Sequence, residues 1–482
     1  MTRVMSRRLT VLLMLVTPAG VRIAGDVPAH SLYEIVDLGG GSARLINERG
    51  DVVITEFTIP PFGGSAVISS YFWTEAAGRI RIPGTSSQTF ATGINAAGQV
   101  VGYTGYPSYY DIVEGHYDAF SWTADSGTTL IPGYSQVGCG TASSFSSGVN
   151  VRGELVGTVY WSCKWAGDGR FAFVWSAISG MHEVTGLGGW ATFGYDVNDY
   201  GQVVGTSYLP DGTYRYRAFS SIAAGSSVDL GTLGGANSEA VAVNNNGEVI
   251  GAADRATGLR TAFFWRADTG MLDLGSLGGA ISTAVALNDV GQVVGDSVRG
   301  DGRTHAFVWT LAGGMIDLGT LGGDASHATA INAHGHVVGY SDRGDGSTHA
   351  FVWTPGTGMR DLDTSGGTNS AAYALNDRGQ IVGSSALAES ELAHAVLWQP
   401  IGFEQILSNL IVDTAAARFQ QGAGLLRNAR SSFTRSHLSA ACNQVSAFMN
   451  QVRAQSGKSL PAVQAGEWLA SATQVKAMAG CP

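Results

Sequence analysis

A chain of 482 residues is longer than one ordinary domain, and with 44% apolar and only 14% charged residues it is too apolar to be disordered over most of its length. Glycine numbers 68 against 12 prolines, which suits many tight turns rather than a Pro-rich tract. Residues 30–400 carry 17 basic and 34 acidic groups, a net charge of −17 that repels nucleic acid and excludes a DNA- or RNA-binding role, whereas residues 1–29 and 401–482 are net +3 and +4.

The N-terminus reads as an export signal. Arg3, Arg7 and Arg8 form a positive patch ahead of the apolar run Leu9 to Val16, and Val27-Pro28-Ala29 offers small residues for cleavage, with Thr17-Pro18-Ala19 as a second candidate. The run is too short to span a bilayer, so residues 1–29 are expected to be removed and to leave no membrane span.

From there to about residue 400 the chain repeats itself. An apolar residue, Asn-x-x-Gly-x-Val-Val-Gly, a loop and Ala-Phe-x-Trp recur, with the Asn at 47, 95, 150, 198, 244, 288, 332 and 376. In the seventh copy the apolar runs are Met315 to Leu318, Ala328 to Ile331, Val337 to Tyr340 and Ala350 to Trp353, short enough to be strands. Asn-x-x-Gly predicts a hairpin between the second and third runs, and Asp301-Gly302 or Asp345-Gly346 another before the fourth. In the fourth copy Ser220 is read as standing where the Trp would be, and in the second an insertion from Tyr106 to His116 breaks the spacing.

Four strands in about 44 residues make one blade, so the expected fold class is an all-β repeat, a β-propeller. Eight units favour eight blades; seven follow if the divergent first copy is a cap. A β-solenoid with two coils per unit competes, but the hairpins imply antiparallel pairing and favour the propeller.

After Pro400 the apolar period becomes helical. Phe403, Ile406, Leu407, Leu410 and Ile411 share one face; Cys442, Val445, Phe448, Met449 and Val452 another; Trp468, Leu469, Ala472 and Val475 a third, opened by the cap-like Ser459 and Pro461. Residues 401–482 are therefore a small module of three or four helices. Four cysteines fit an oxidising compartment and allow three connectivities, between which the sequence does not choose; the local pairs Cys139 with Cys163 and Cys442 with Cys481 are the expected disulfides.

Two resemblances follow from these residues. His305-Ala306-Phe307 and His349-Ala350-Phe351, with Asp-Leu-Gly-Thr-Leu-Gly-Gly at 229–235 and 317–323 and a variant at 273–279, resemble the bacterial HAF extracellular repeat family. That resemblance covers about residues 33–400 and implies a secreted or surface protein with a propeller-like fold and no established activity. The run Ala441-Cys442-Asn443-Gln444, then Phe448 to Val452, Gly457-Lys458, Gln464-Ala465 and Gly480-Cys481, is similar to the FIMAH domain, which implies an appended extracellular helical module.

The candidates for chemistry divide into repeating and non-repeating residues. His305, His349 and His394 recur once per unit, too far apart to share an ion, and are read as structural hydrogen-bonding groups. Asp229, Asp273, Asp317 and Asp361 are read as turn caps rather than a ring of calcium ligands. The Arg-Gly-Asp tripeptides at 299–301 and 343–345 are read as hairpin chemistry. An active site breaks repeat symmetry, so the irregular first three copies carry more weight. Tyr106, Tyr109, Tyr110, Trp161 and Trp165 are the expected ligand contacts, since loop aromatics stack on sugar faces; Tyr71, Tyr103, Tyr117 and Tyr160 lie in the same copies.

No hydrolase, metalloprotease, Walker or dinucleotide motif is present, so no catalytic residue is expected. No cofactor is expected either, calcium being the one ion the acidic repeats would admit. The expected function is a secreted or cell-surface, non-catalytic binding or scaffold protein for an extracellular glycan or protein. The alternative is a polysaccharide hydrolase or lyase using Asp111, Glu114, Asp118 or Asp168.

Overall fold

The computed structural model describes residues 15–17, 20–22 and 33–481, apart from 60–65, 87, 107–115, 135–141, 163–167, 223–225, 389 and 436. Two units divide the chain: Asp37–Leu397 with Thr17–Gly20, and Trp398–Pro482 with Met1–Val16 and Val21–Val36. Most of the expected signal segment lies outside the described residues; within it stand two short strands, Leu15–Thr17 and Gly20–Arg22.

The seventh repeat shows how the sequence pattern becomes a sheet. Its strands are Gly322–Ile331, Val337–Arg343, Thr348–Thr354 and Gly358–Asp361, paired antiparallel in chain order. Met315 to Leu318, expected as the first run of this copy, instead supplies the fourth strand of the sixth repeat's sheet, Gly314–Asp317, because it pairs back on Thr304–Thr310. Separate four-stranded sheets of this order begin at Ala142, Thr192, Gly234, Gly278 and Gly322. Before them the same order runs twice, from Ser42 to Arg81 and from Gln88 to Ile131, and one parallel bridge between Ile68 and Gln88 links the two sets. Antiparallel pairing between successive strands is what the hairpins called for, and the coils of a solenoid would pair in parallel.

The last repeat contributes only three strands, Gly366–Leu375, Ile381–Leu387 and Ser390–Pro400. Its fourth place is taken by Tyr33–Gly40, from the opposite end of the chain. Asp37-Leu38-Gly39 is thus one more copy of the Asp-Leu-Gly motif, displaced by a whole circuit. His394 Nδ1 stands 2.9 Å from Asp37 Oδ1, just as His305 and His349 pair with Asp317 (2.8 Å) and Asp361 (2.9 Å).

The invariant Asn explains itself in the fold. Asn332 N–H donates to the His336 carbonyl and Gly335 N–H to the Asn332 carbonyl, closing a tight turn in which Gly335 has φ +73°, a region costly for residues with a Cβ. The Asn332 side-chain oxygen accepts from the backbone N–H of His334 and His336. Its Nδ2 donates to the Asn376 carbonyl of the next repeat, 3.1 Å away. The same link runs from each of the eight Asn to the next, and Asn376 returns to Asn47 at 3.0 Å. In seven of the eight turns an acidic or amide residue follows the Gly, and in units such as the fifth (Glu248) and sixth (Gln292) it accepts a further bond from the same Nδ2.

Between sheets lie apolar layers: Val294, Ala306, Val308 and Leu318 of the sixth repeat meet Ala328, Val337 and Phe351 of the seventh. The register corrects one sequence reading. Trp265, Trp309 and Trp353 each pair with the first Val of Val-Val-Gly or its equivalent, and in the fourth repeat that partner, Val203, faces Ser221 rather than Ser220.

The second unit holds four helices: α1 (Phe403–Ala416), α2 (Gln420–Thr434), α3 (Leu438–Gln455) and α4 (Ala462–Met478). Their core joins Ile406, Leu407 and Leu410 to Val445, Phe448, Met449 and Val452 and to Trp468, Ala472 and Val475, the three expected faces. Leu426 and Ala429 complete it from α2. No helix among the described residues is long and apolar enough to cross a membrane.

Cys442 and Cys481 are disulfide-bonded across 39 residues, while Cys139 and Cys163 lie outside the described residues. Replacing both Cys442 and Cys481 by Ser is expected to cost the helical unit about 3–4 kcal/mol, because closing a loop of that length restricts the unfolded chain. Thermal melting followed by helical circular dichroism checks it; an unshifted helical transition would show the staple to be redundant.

Candidate functional site

Positions that repeat build the fold, and they are occupied with one another. Asp229, Asp273, Asp317 and Asp361 each accept the N–H two residues on, at 2.7–2.8 Å, which is the capping role expected of them. Their carboxylates also meet a cation or imidazole in the same sheet, such as Arg255 at 2.6 Å from Asp273 and Arg217 at 3.8 Å from Asp229. Asp345 of the second Arg-Gly-Asp accepts from Ser347 N–H within its hairpin turn.

His349, Asp361 and Asp363 bring three ligand-type atoms within 4.8 Å of one another, the one group of that kind among the described residues. Both imidazole nitrogens are partnered, however: Nδ1 with Asp361 and Nε2 with the Arg343 guanidinium at 3.3 Å. Since the guanidinium can only donate, Nε2 is the acceptor and Nδ1 carries the proton given to Asp361. A nearby fixed cation and a spent lone pair fit a structural pair better than a calcium site, which asks for oxygen ligands.

The repeats differ most at one layer. Five residues before each Asn, on the first strand, and eight after it, on the second, stand directly paired residues. In chain order they are Ser42 with Thr55, Phe90 with Tyr103, Phe145 with Thr158, Phe193 with Thr206, Glu239 with Ala252, Thr283 with Asp296, His327 with Tyr340, and Ala371 with Ser384. Five residues of strand place this layer about 15 Å from the Asn turns, toward the other end of the first strands.

In the second to fourth repeats the layer is aromatic and half-buried. Phe90 stacks on Tyr103 at 4.9 Å, Tyr103 meets Phe145 at 5.0 Å, Phe145 meets Tyr160 at 5.3 Å, and Tyr160 meets Phe193 at 6.0 Å. Tyr117 packs beside Phe145, and the Arg170 guanidinium lies over both Tyr160 (5.3 Å) and Trp190 (5.2 Å). Burial raises the pKa of Tyr103 and Tyr160 and pushes Tyr195 up to about 12, so these phenols stay neutral and offer O–H groups at the edges of apolar faces.

Farther round, the layer turns polar. Arg260 bridges Glu239 (2.8 Å) and Asp254 (3.1 Å), and Arg44 covers the Tyr373 ring at 4.2 Å. His327 stacks on Tyr340 and its Nδ1 stands 2.8 Å from Asp296 Oδ2 of the preceding repeat. The hydrogen bond to Asp296 raises the His327 pKa above its ordinary 6.5, against burial, which lowers it. A raised folded-state value stabilises fully below the unfolded value and is lost as pH rises through the folded one. His327→Gln is therefore expected to remove a fall in melting temperature of about 1 °C between about pH 6 and about pH 8; equal slopes in parent and variant would refute the linkage.

Of the expected contacts, Tyr106 and Trp161 occupy the same register position, eleven residues after their Asn, on the strand face opposite Tyr103 and Tyr160. Tyr106 is 56% exposed. Trp161 is half-buried instead and packs on Phe171, at 5.5 Å, against the apolar cluster between the second and third sheets. Tyr109, Tyr110 and Trp165 lie outside the described residues, as do Asp111 and Glu114. Asp118 is paired with His116 at 3.2 Å, and Asp168 is exposed. Phe90, Phe145, Phe193, Arg170 and Trp190 were not singled out from the sequence, although counting five back from each Asn gives Ser, Phe, Phe, Phe, Glu, Thr, His and Ala, a visible break in the repeat.

No family model and no curated protein matches this sequence. Among solved structures the chain is similar to a puromycin hydrolase (TM-score 0.44, 13% identity, 72% of this chain and 58% of that one). It is also similar to an acylaminoacyl peptidase of Pyrococcus horikoshii (0.43, 8%, 72% and 58%). A third is the β-propeller domain of the trilobed protease of Pyrococcus furiosus (0.41, 8%, 67% and 98%). The chain thus spans 58% of the length of each of the first two, and the likeness transfers no residue and no activity.

Proposed function

We propose that this chain is an exported, closed eight-bladed propeller of the HAF-repeat kind, with a FIMAH-like tail, that binds extracellular carbohydrate without cleaving it. Eight repeats, an Asn relay that returns to its origin and an N-terminal strand that completes the last sheet support the closed ring. The basic, then apolar N-terminus and the Cys442–Cys481 disulfide support export.

The observation that carries the binding function is the aromatic arc from Phe90 to Phe193, continued by Glu239, Asp296 and His327 at equivalent register. Apolar ring faces beside neutral hydroxyls and charged edges are what a sugar, with its apolar face and hydroxyl rim, is held by. The acids of the layer are tied to Arg260 and His327, which suits positioning rather than proton transfer.

The test is a glycan array probed with the full chain, with and without calcium, followed by titration of Tyr160→Ala. Retention of a neutral glycan, weakened about tenfold in the variant while the fold is unchanged by circular dichroism, is the expected result. Retention of no glycan at any calcium level, or unchanged affinity in Tyr160→Ala, would overturn the reading.

A further inference from the structure

An opening lies between the fourth and fifth repeats, on the side of the Asn turns. Its volume is about 780 Å³, within the size range of small-molecule sites. The reason for it is legible in the repeats. The third-strand residue before the conserved Trp is large and apolar in six units: Phe72, Val174, Phe264, Val308, Val352 and Leu397. Phe72 and Phe264 reach the next repeat's Trp122 and Trp309, at 5.1 and 5.2 Å, and those indoles are 3% and 6% exposed. In the fourth unit the position is Ser220, and Trp265, half-buried as Trp353 also is, lines the cavity beside it.

The fourth unit is trimmed further. Ser221 replaces its own Trp and Ser227 the Met that pairs with Trp in neighbouring units, as Met271 does with Trp265. Ser121 of the second unit is the one other serine at this position, and there the unit keeps its own Trp122. At the fourth unit two exposed apolar residues, Ile222 and Val228, form the rim opposite Trp265.

The polar groups are placed around that indole. Gln202 Nε2 donates to Ser220 Oγ at 2.8 Å, and Glu248 accepts from Asn244 at 2.7 Å, so both are held in fixed orientations. Arg266 stands 3.8 Å from Glu248 and 3.1 Å from Asp268, whose side chain is 63% exposed at the mouth. Two carboxylates against one guanidinium leave the cavity with a net negative charge, which disfavours anionic ligands.

We propose that this cavity is a separate binding site for a neutral mono- or disaccharide, stacked on Trp265 and hydrogen-bonded by Glu248, Arg266 and Asp268. An apolar peptide side chain would use the indole but would leave these three polar groups without new partners, which is costly on desolvation. The proposal rests on the gap left by Ser220 and is independent of the aromatic arc.

The test is saturation-transfer NMR on the full chain with glucose, galactose, N-acetylglucosamine and cellobiose as probes. At least one is expected to bind with a Kd of about 1 mM. Ser220→Phe, which installs what the fifth unit carries at this place, is expected to fold, to melt no lower than the parent and to weaken binding about tenfold or more. Asp268→Ala, in an exposed turn, tests the same site without touching the core and is expected to weaken binding several-fold, whereas Tyr160→Ala is expected to leave it unchanged. No transfer from any of the four sugars, affinity unaffected by both cavity variants, or preference for a sulfated sugar or an aromatic peptide would overturn the proposal.

Discussion

Asn288→Ala is expected to destabilise the repeat unit by about 2–4 kcal/mol, out of proportion to the loss of a small polar side chain. Asn288 is 7% exposed and makes four hydrogen bonds. Its oxygen accepts from the N–H of Val290 (3.2 Å) and Gln292 (3.0 Å); its Nδ2 donates to Gln292 Oε1 (2.8 Å) and to the Asn332 carbonyl of the next repeat (2.9 Å). Alanine strands both N–H groups and both acceptors in a place with little water. Asn288→Asp keeps the two acceptances but points a carboxylate at two acceptors, so it is expected to be no better. Calorimetric melting should show the repeat transition falling by about 3–5 °C in each variant. A fall of less than about 1 °C would mean that the relay between repeats contributes little.

Gly339→Ala is the second substitution with a large expected cost, about 3 kcal/mol or more. Gly339 is the last residue of Val-Val-Gly and lies in a strand, not a turn. A Cβ there would come 1.9 Å from the His327 carbonyl oxygen and 2.9 Å from the Phe351 ring, and the first of these is backbone that cannot swing away. The same obstruction stands at Gly102, Gly205, Gly251 and Gly295, each about 2 Å from a first-strand carbonyl. Gly300→Ala is the matched control: its Cβ would find nothing nearer than 3.7 Å, and its effect is expected to stay within about 0.5 kcal/mol. Urea unfolding of the pair decides it, and equal midpoints would remove the packing explanation for the motif.

These two residues also mark how far the sequence could be read. The hairpins, the four-strand unit and the helical faces of Phe448 and Trp468 follow from local rules, since turn residues and apolar spacing act within a few residues. The Asn was legible as a turn former but not as a link to the next repeat, because its partner carbonyl lies 44 residues away. Asp37-Leu38-Gly39 does not stand out as a motif in the sequence because its histidine, His394, is 357 residues distant. Tyr106 is exposed, whereas Trp161, at the equivalent register position, is half-buried against Phe171 of the neighbouring strand, a contact that spacing along the chain does not mark.

By itself, then, the sequence determined that this protein is a run of four-strand β repeats followed by helices, since the signals for both are periodic and short-range. Only the tertiary structure decided which irregular residues meet. Whether Phe90, Tyr103 and Phe145 form one surface, or whether Trp265 lines a cavity with Ser220, depends on packing between sheets. Such contacts join residues far apart in the chain, where spacing along the sequence carries no record of them.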